Sequence, residues 1–484
     1  MKRNSIFVNS ILLFLSVALF VLSEPSFIFK EGLSFCAFIA YIPYFLLLEN
    51  LSLKSSLLFG ALYGFFSYLL MCHWLSSFGL AALFFVCFLF ALYNSVTFFL
   101  ISFIKTKLTG NFKEYFWIFR ALLVLFVDFL RTQGIFAFSY GIIGYSQWKN
   151  PVLLGFASAF GVYGVSFVIL LFNSLTERIL RESELLSFKA KFRKTVRREI
   201  CLLLLLVFAV ISFWAGKCLF SSRKSGESLK IALIQNSSSA SSRTISDFEK
   251  DAALLKTLTD QALFQNPETE LVVWAETAIV PDILYNLENP GDKRRHELSK
   301  NLADYFKSKS CSFLIGNNHN DEAGTHNSAL FFSRETGKIE IYDKNHLVPF
   351  TEYWPEALDF KIFDGLKKSL GCEFFSPGGQ IKIFKIKKLS FASPICFEDS
   401  FPSLVKKMKG GGADFFVNIS DDAWSEAEEA RNIHLSMSVF RAAENSSPFI
   451  RSTIDGKTCV IDRNGKITKA LESGIDGFLC AEIH

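Results

Sequence analysis

Hydrophobic positions crowd into the first half of the chain as long uncharged runs. Residues 4–22, 32–48, 55–71, 79–104 and 152–173 contain no Asp, Glu, Lys or Arg, and 201–216 is a sixth such run. A helix needs about 20 apolar residues, with a lower range near 17, to cross the hydrocarbon core. Residues 115–130 join the set although they hold Arg120 and Asp128, so the pattern predicts a membrane bundle of seven spans over 1–220. After Phe220 the pattern changes. A polar linker, 221–227, leads into a region where short β-type runs alternate with amphipathic helical stretches. Strands are expected at 229–235, 270–274, 312–315, 327–333, 338–342, 389–395 and 414–419, and helices at 246–264, 294–307, 400–408 and 429–441. Such alternation predicts an α/β layer fold for 228–484.

Charge in the connections orients the spans. Lys2 and Arg3 precede the first, Lys54 separates the second from the third, and Lys105, Lys107 and Lys113 separate the fourth from the fifth. Eight Lys and Arg between 178 and 198 separate the sixth from the seventh, whereas the alternate connections carry at most one. Positive residues stay on the cytoplasmic side, which puts the N-terminus in the cytoplasm and everything after about Ser221 on the far side of the membrane. The basic 178–198 stretch reads as a topology signal in contact with lipid headgroups. The first span reads as an uncleaved anchor, because no A-x-A site follows it.

Composition agrees. The chain is 50% hydrophobic and 15% aromatic with 20% charged residues, which excludes a disordered protein. A net charge of +5 from 51 basic and 46 acidic residues argues against a nucleic-acid partner. The ten Cys show no paired short spacings, so neither a disulfide scaffold nor a zinc ribbon is expected. Cys311, Cys372, Cys459 and Cys480 would meet an oxidising compartment, where a disulfide could form among them. No metal or other cofactor is expected: His319 and His326, with Asp321 and Glu322, read as a solvated Asn-rich loop, and His434 as a helix-face residue.

Ligands in open α/β sheets gather at the carboxyl ends of strands. Three reactive side chains fall there: Glu276 after Leu-Val-Val-Trp-Ala, Lys344 after the 338–342 run, and Cys396 after Ser-Phe-Ala-Ser-Pro-Ile. A thiol can act as nucleophile, a carboxylate can take its proton, and a cation can favour the thiolate and a developing oxyanion.

The residues around these three carry a resemblance. Trp274-Ala275-Glu276-Thr277-Ala278, Tyr342-Asp343-Lys344-Asn345-His346-Leu347-Val348-Pro349-Phe350-Thr351-Glu352-Tyr353 and Ile395-Cys396-Phe397-Glu398-Asp399 resemble the Glu, Lys and Cys blocks of the nitrilase (carbon–nitrogen hydrolase) superfamily. With the spans ahead of them, and with Gly144-Tyr145-Ser146-Gln147, Gly161–Phe167 and Asn418–Trp424, they look more narrowly like the apolipoprotein N-acyltransferase family. The resemblance implies an αββα sandwich and a ping-pong reaction. Cys396 would take an acyl group from a phospholipid as a thioester and pass it to the α-amine of a diacylglyceryl apolipoprotein. Glu276 would be the general base and Lys344 the oxyanion partner, with Glu352 and Glu398 supporting them. Tyr145, Gln147, Phe397, Trp424 and His434 are candidates to line the substrate path among membrane lipids.

The chain departs from the family's blocks at Phe397, where Tyr is usual, and at Asp421, where the second Asn of Asn-Ile-Ser-Asn-Asp-Ala-Trp is usual. A Ser-rich run at 236–243 stands where relatives carry an aromatic residue. The family's eighth span is expected to be missing, since the chain stops at His484 after a strand-like 477–483 run. Two rival functions follow from the same residues: a membrane-tethered amidase acting on small nitrogenous substrates, and a non-catalytic lipid- or lipoprotein-binding envelope module.

Overall fold

The structure, a computed structural model, describes residues 6–185, 190–220, 227–237, 244–356, 359–361, 365, 367 and 375–484. The chain divides into two compact units, Met1–Ser221 with Ala427–Ser436, and Ser222–Glu426 with Met437–His484.

The first unit is helical: α1 (Ile6–Ser23), α2 (Ala37–Asn50), α3 (Leu53–Met71), α4 (Leu80–Lys107), α5 (Phe116–Leu130), α6 (Pro151–Leu185) and α7 (Ala190–Phe220). Each apolar run of the sequence is mainly helical, and large Phe and Leu stay exposed along the helices, as at Phe14, Phe88, Leu204 and Phe208. Among the described residues five helices are long and apolar enough to cross a membrane: α1, α3, α4, α6 and α7. The expected count of seven is therefore not reached on length. Helix α2 has 14 residues and α5 has 15, about 21 and 22 Å at 1.5 Å per residue, against a core of about 30 Å. Residues 32–36 of the second apolar run do not enter α2, because Ser34–Cys36 coils as a 3-10 turn.

Close packing explains the small residues. A Cβ on Gly60 or Gly64 of α3 would come within 2.5 Å of the Asn94 carbonyl oxygen and 2.1 Å of the Phe90 carbonyl oxygen. The spacing of four lets α3 lie backbone-to-backbone along α4. The two charges of α5 are both neutralised. Arg120 pairs with Glu177 and donates to Ser174 Oγ at 2.6 Å, and Asp128 pairs with Arg131 at 2.8 Å. Arg131 also donates to the Phe138 and Tyr140 carbonyls, both at 2.9 Å, so the pair braces the following connection. The basic stretch is not wholly a loop: α6 runs past Arg178 and Arg181, and α7 begins at Ala190.

The second unit holds two six-stranded sheets. The first has the order β12-β1-β2-β3-β4-β5, from β1 (Leu229–Gln235), β2 (Leu271–Trp274), β3 (Ser312–Asp321), β4 (Gly324–Phe332), β5 (Ile339–Asp343) and β12 (Gly477–Ile483). The second has the order β11-β10-β9-β8-β7-β6, from β6 (Phe384–Ile386), β7 (Leu389–Ala392), β8 (Phe415–Asp421), β9 (Phe449–Ile454), β10 (Cys459–Ile461) and β11 (Ile467–Ala470). β1, β2 and β3 run parallel, as do β7, β8 and β9. Helices α8 (Ile245–Gln265), α9 (Ile283–Glu288) and α10 (Lys293–Ser308) connect the strands of the first sheet, and α11 (Pro402–Gly410) and α12 (Glu428–Asn445) those of the second.

Strand side chains alternate between faces, and both faces of the first sheet are apolar. Ala232, Ile234, Val272, Trp274, Phe313 and Ile315 pack under Phe248, Leu255, Leu298, Leu302 and Phe306 of α8 and α10. On the other face the sheets meet: Phe331 lies 5.4 Å from the ring of Phe384 and 5.2 Å from that of Phe391. The stretch around His319 and His326, expected to be a loop, is the β3–β4 hairpin, with the two histidines paired across it. Cys311, Cys459 and Cys480 are free thiols, and Cys372 lies outside the described residues, as do 238–243 of the Ser-rich run.

Candidate active site

Glu276 leaves the end of β2, Lys344 the end of β5, and Cys396 the loop after β7, and the sandwich brings all three together. Lys344 Nζ lies 3.0 Å from Glu276 Oε1 and 2.8 Å from Glu352 Oε1. Asn327 Nδ2 donates to the same two oxygens, at 2.7 and 2.8 Å. Two carboxylates, an ammonium and an amide thus form a closed ring in which every member is buried. The second oxygens are also held: Asp421 N–H donates to Glu276 Oε2 at 2.8 Å and Val348 N–H to Glu352 Oε2 at 2.7 Å. Such multiple charge-assisted bonds fix direction as well as charge.

The backbone is shaped around this ring. Gly316 of β3 lies flat against the turn carrying Glu276: a Cβ there would fall 2.3 Å from the Ala275 carbonyl oxygen and 2.5 Å from Glu276 Cα. Gly316→Ala is therefore expected to push Glu276 out of line and lower kcat by about 100-fold, the order a misplacement of about 1 Å costs. Steady-state acylation of a lipopeptide measures it. Thr277 and Cys396 both adopt left-handed φ of 49°, a conformation that non-glycine residues hold only where their surroundings over-determine it.

The turn at Cys396 is pinned from several sides. Asn418 Nδ2 donates to the Pro394 and Cys396 carbonyls at 3.0 and 3.2 Å. Glu398 accepts from the N–H groups of Ile395, Asn345 and His346 at 2.8, 2.7 and 3.1 Å, and from the Tyr342 hydroxyl at 2.9 Å. Asp399 accepts from Arg451 Nη1 at 3.0 Å, and Arg451 Nη2 reaches Asp422 Oδ2 at 2.8 Å. Phe397 packs edge-on against Phe401, 5.1 Å between ring centres.

Electrostatics set the resting protonation. Burial works against the charge of Lys344, but Glu276, Glu352 and Cys396 outweigh it and hold the ammonium well above its ordinary range. Burial pushes the Cys396 thiol well up, Glu276 pushes it further, and Lys344 pulls down without winning. Lys344 thus acts on the thiol in the expected direction, toward the thiolate, but burial and the neighbouring carboxylate outweigh it. Burial pushes Glu398 up to about 7, against the N–H groups of Ile395 and His346 and the charge of Lys344. Among the described residues no cluster of three or more His, Cys, Asp or Glu could hold a metal ion.

A buried carboxylate–ammonium–thiol constellation suits acyl transfer, and similarity to known proteins narrows the class. Carbon-nitrogen hydrolase sequences match residues 230–484, and the apolipoprotein N-acyltransferase N-terminal domain matches residues 12–175. Apolipoprotein N-acyltransferase 1 of Treponema denticola is 32% identical over 100% of this chain and 92% of its own length. The chain belongs to the apolipoprotein N-acyltransferase family. Apolipoprotein N-acyltransferase 1 of Treponema pallidum is likewise 32% identical, over 98% of this chain and 89% of its own. The crystal structure of a carbon-nitrogen hydrolase from Helicobacter pylori G27 is 19% identical over 53% of this chain and 89% of that one, with a TM-score of 0.40.

Within the apolipoprotein N-acyltransferase family the chain is an acyltransferase of lipoprotein biosynthesis, and its α/β unit is nitrilase-like. Of the residues expected at the site, Glu276, Lys344, Cys396, Glu352 and Glu398 are brought together. Phe397 is adjacent to Cys396, and Trp424 follows β8, half-buried. Tyr145, Gln147 and His434 belong to the helical unit, where each is buried, and Gln147 Nε2 donates to the Ser34 carbonyl at 2.8 Å. Asn327 and Arg451 were missed. The signal for Asn327 was its place at the start of a strand-like run; Arg451 had a weaker one, a lone charge in the apolar stretch 448–454.

Proposed function

We propose that the reaction runs through a thioester on Cys396. The thiol attacks the acyl ester of a membrane phospholipid, its proton passes to Glu276, and Lys344 steadies the oxyanion of the tetrahedral intermediate. Collapse expels the lysophospholipid, whose oxygen takes the proton back from Glu276. The α-amine of an S-diacylglyceryl cysteine on an apolipoprotein then attacks the thioester and leaves as an amide. The observation that carries this reading is the ring of Glu276, Lys344, Glu352 and Asn327 beside the buried thiol of Cys396. Such a thiol keeps its reactivity until substrate arrives, and burial restrains hydrolysis of the acyl-enzyme.

The same reading places the chain in the inner membrane with its N-terminus in the cytoplasm. It takes α2 and α5 as two further, short spans, giving seven crossings and a periplasmic catalytic unit. Support comes from the excess of Lys and Arg in alternate connections.

Intact-protein mass spectrometry of the detergent-purified chain after incubation with phospholipid tests the chemistry. The expected result is a mass gain of one fatty acyl group, released by hydroxylamine and absent from Cys396→Ser. A wild-type protein that turns over small amides but never carries the adduct would sink the reading in favour of an amidase.

A further inference from the structure

The helical unit encloses a polar cavity of about 30 Å³, lined by five tyrosines, Asp128 and Arg131. Most of the hydrogen-bonding capacity of the charged pair is already engaged. Arg131 Nε donates to Asp128 Oδ1 at 2.8 Å, and Nη1 to the Phe138 and Tyr140 carbonyls, both at 2.9 Å. Arg131 Nη2, Asp128 Oδ2 and the Tyr44 hydroxyl are different: each is shut off from solvent and has no hydrogen-bond partner among the described residues. All three belong to side chains that line the cavity, and Tyr44 and Arg131 are only 1% and 2% exposed. Such atoms are costly to leave unpaired inside a protein, most of all on a charged group.

We propose that this cavity is a water-binding site, taking about two molecules that bridge Arg131 Nη2, Asp128 Oδ2 and the Tyr44 hydroxyl, since a buried water needs roughly 10–15 Å³ of such space and two to four polar partners. The three atoms select the occupant. A guanidinium nitrogen only donates, a carboxylate oxygen only accepts, and a phenol does either. A cation would meet Arg131, an anion would meet Asp128, and a lipid chain would leave all three unpaired. Water donates and accepts at one place. Its presence also completes the brace on the connection after α5: satisfying the remaining N–H groups keeps the guanidinium in the orientation that holds the Phe138 and Tyr140 carbonyls. Tyr68, another residue of the cavity wall, fastens the same point, its hydroxyl donating to the Tyr140 carbonyl at 3.2 Å. Hydration inside the bundle thereby fixes the start of the segment that leads to Tyr145 and Gln147.

X-ray hydroxyl-radical footprinting of the detergent-purified full chain tests this, because the radicals form from water itself and oxidise the side chains beside it. Two tyrosines set the scale: Tyr285, 53% exposed, and Tyr342, 1% exposed with its hydroxyl on Glu398. Tyr44 is expected to oxidise at a rate near that of Tyr285 in spite of its burial. Oxidation no faster than at Tyr342 would mean a dry cavity and overturn the proposal. Val124 also lines the space, so Val124→Phe fills it and Val124→Ala enlarges it. The first is expected to abolish oxidation of Tyr44 and the second to keep or raise it, with Tyr285 and Tyr342 unchanged in both as evidence of an intact fold. Oxidation of Tyr44 that persists in a folded Val124→Phe, or disappears in Val124→Ala, overturns the site. Should Val124→Phe fail to fold, the wild type and Val124→Ala still decide the question.

Discussion

Lys344→Met is expected to lower acyl transfer by roughly a thousandfold and to destabilise the catalytic unit by about 3–5 kcal/mol. Both effects follow from one ring. Glu276 and Glu352 are buried, and Lys344 Nζ stands 3.0 and 2.8 Å from their Oε1 atoms. Removing the ammonium leaves two carboxylates facing each other across Asn327 without a counter-charge, and a buried charge without its partner is among the costliest defects a core can hold. Alkylation of the buried thiols Cys311 and Cys459 during heating reports the stability loss, and the phospholipid adduct reports the chemistry. The triple change Lys344→Met, Glu276→Gln, Glu352→Gln separates the two. It removes the uncompensated charges and should recover most of the stability, yet the adduct should stay absent, because neither the base nor the oxyanion partner returns. A triple variant that regained the adduct would remove Glu276 and Lys344 from the chemistry.

That Glu276, Lys344 and Cys396 would meet was legible in the sequence because each follows a run of buried strand residues, and a chain that leaves a parallel sheet must turn where ligands collect. The apolar runs were legible for a similar reason: lipid tolerates few charges, so a span writes itself as their absence. Three things were not. Span length depends on local geometry that hydropathy does not carry, as where Ser34–Cys36 coils before α2 begins, or where Gly161 breaks α6 with a φ of 65°. The β3–β4 hairpin was hidden because its tip is polar: Asn317, Asn318, His319 and Asn320 look like a loop until their strand pairing and the bonds of Asn327 to two carboxylates are seen. The resting state of Cys396 depends on the balance of burial, Glu276 and Lys344, a sum over distances that no spacing in the chain encodes.

Arg451→Met is expected to cost the catalytic unit a similar 3–5 kcal/mol, but to harm catalysis by a different route. Arg451 is fully buried on β9 and bridges Asp399, three residues after Cys396, to Asp422, just beyond β8, at 3.0 and 2.8 Å. Ser438 of α12 donates to Asp399 as well, and Ser420 donates to Asp422 Oδ1 at 2.9 Å. The guanidinium thus fastens the turn that forces Cys396 into its left-handed φ to the strand that supplies Asn418 and Asp421. Methionine would leave two buried carboxylates repelling each other beneath that turn and let it relax toward an ordinary backbone. The prediction is loss of both melting temperature and adduct yield. Here, unlike at Lys344, the neutralised triple change Arg451→Met, Asp399→Asn, Asp422→Asn should recover stability and a substantial part of the adduct together, because amides can hydrogen-bond across the gap and every reacting group remains. Recovery of stability without any adduct would mean that the charge of this second network acts on the thiol itself, and that the turn is held well enough without it.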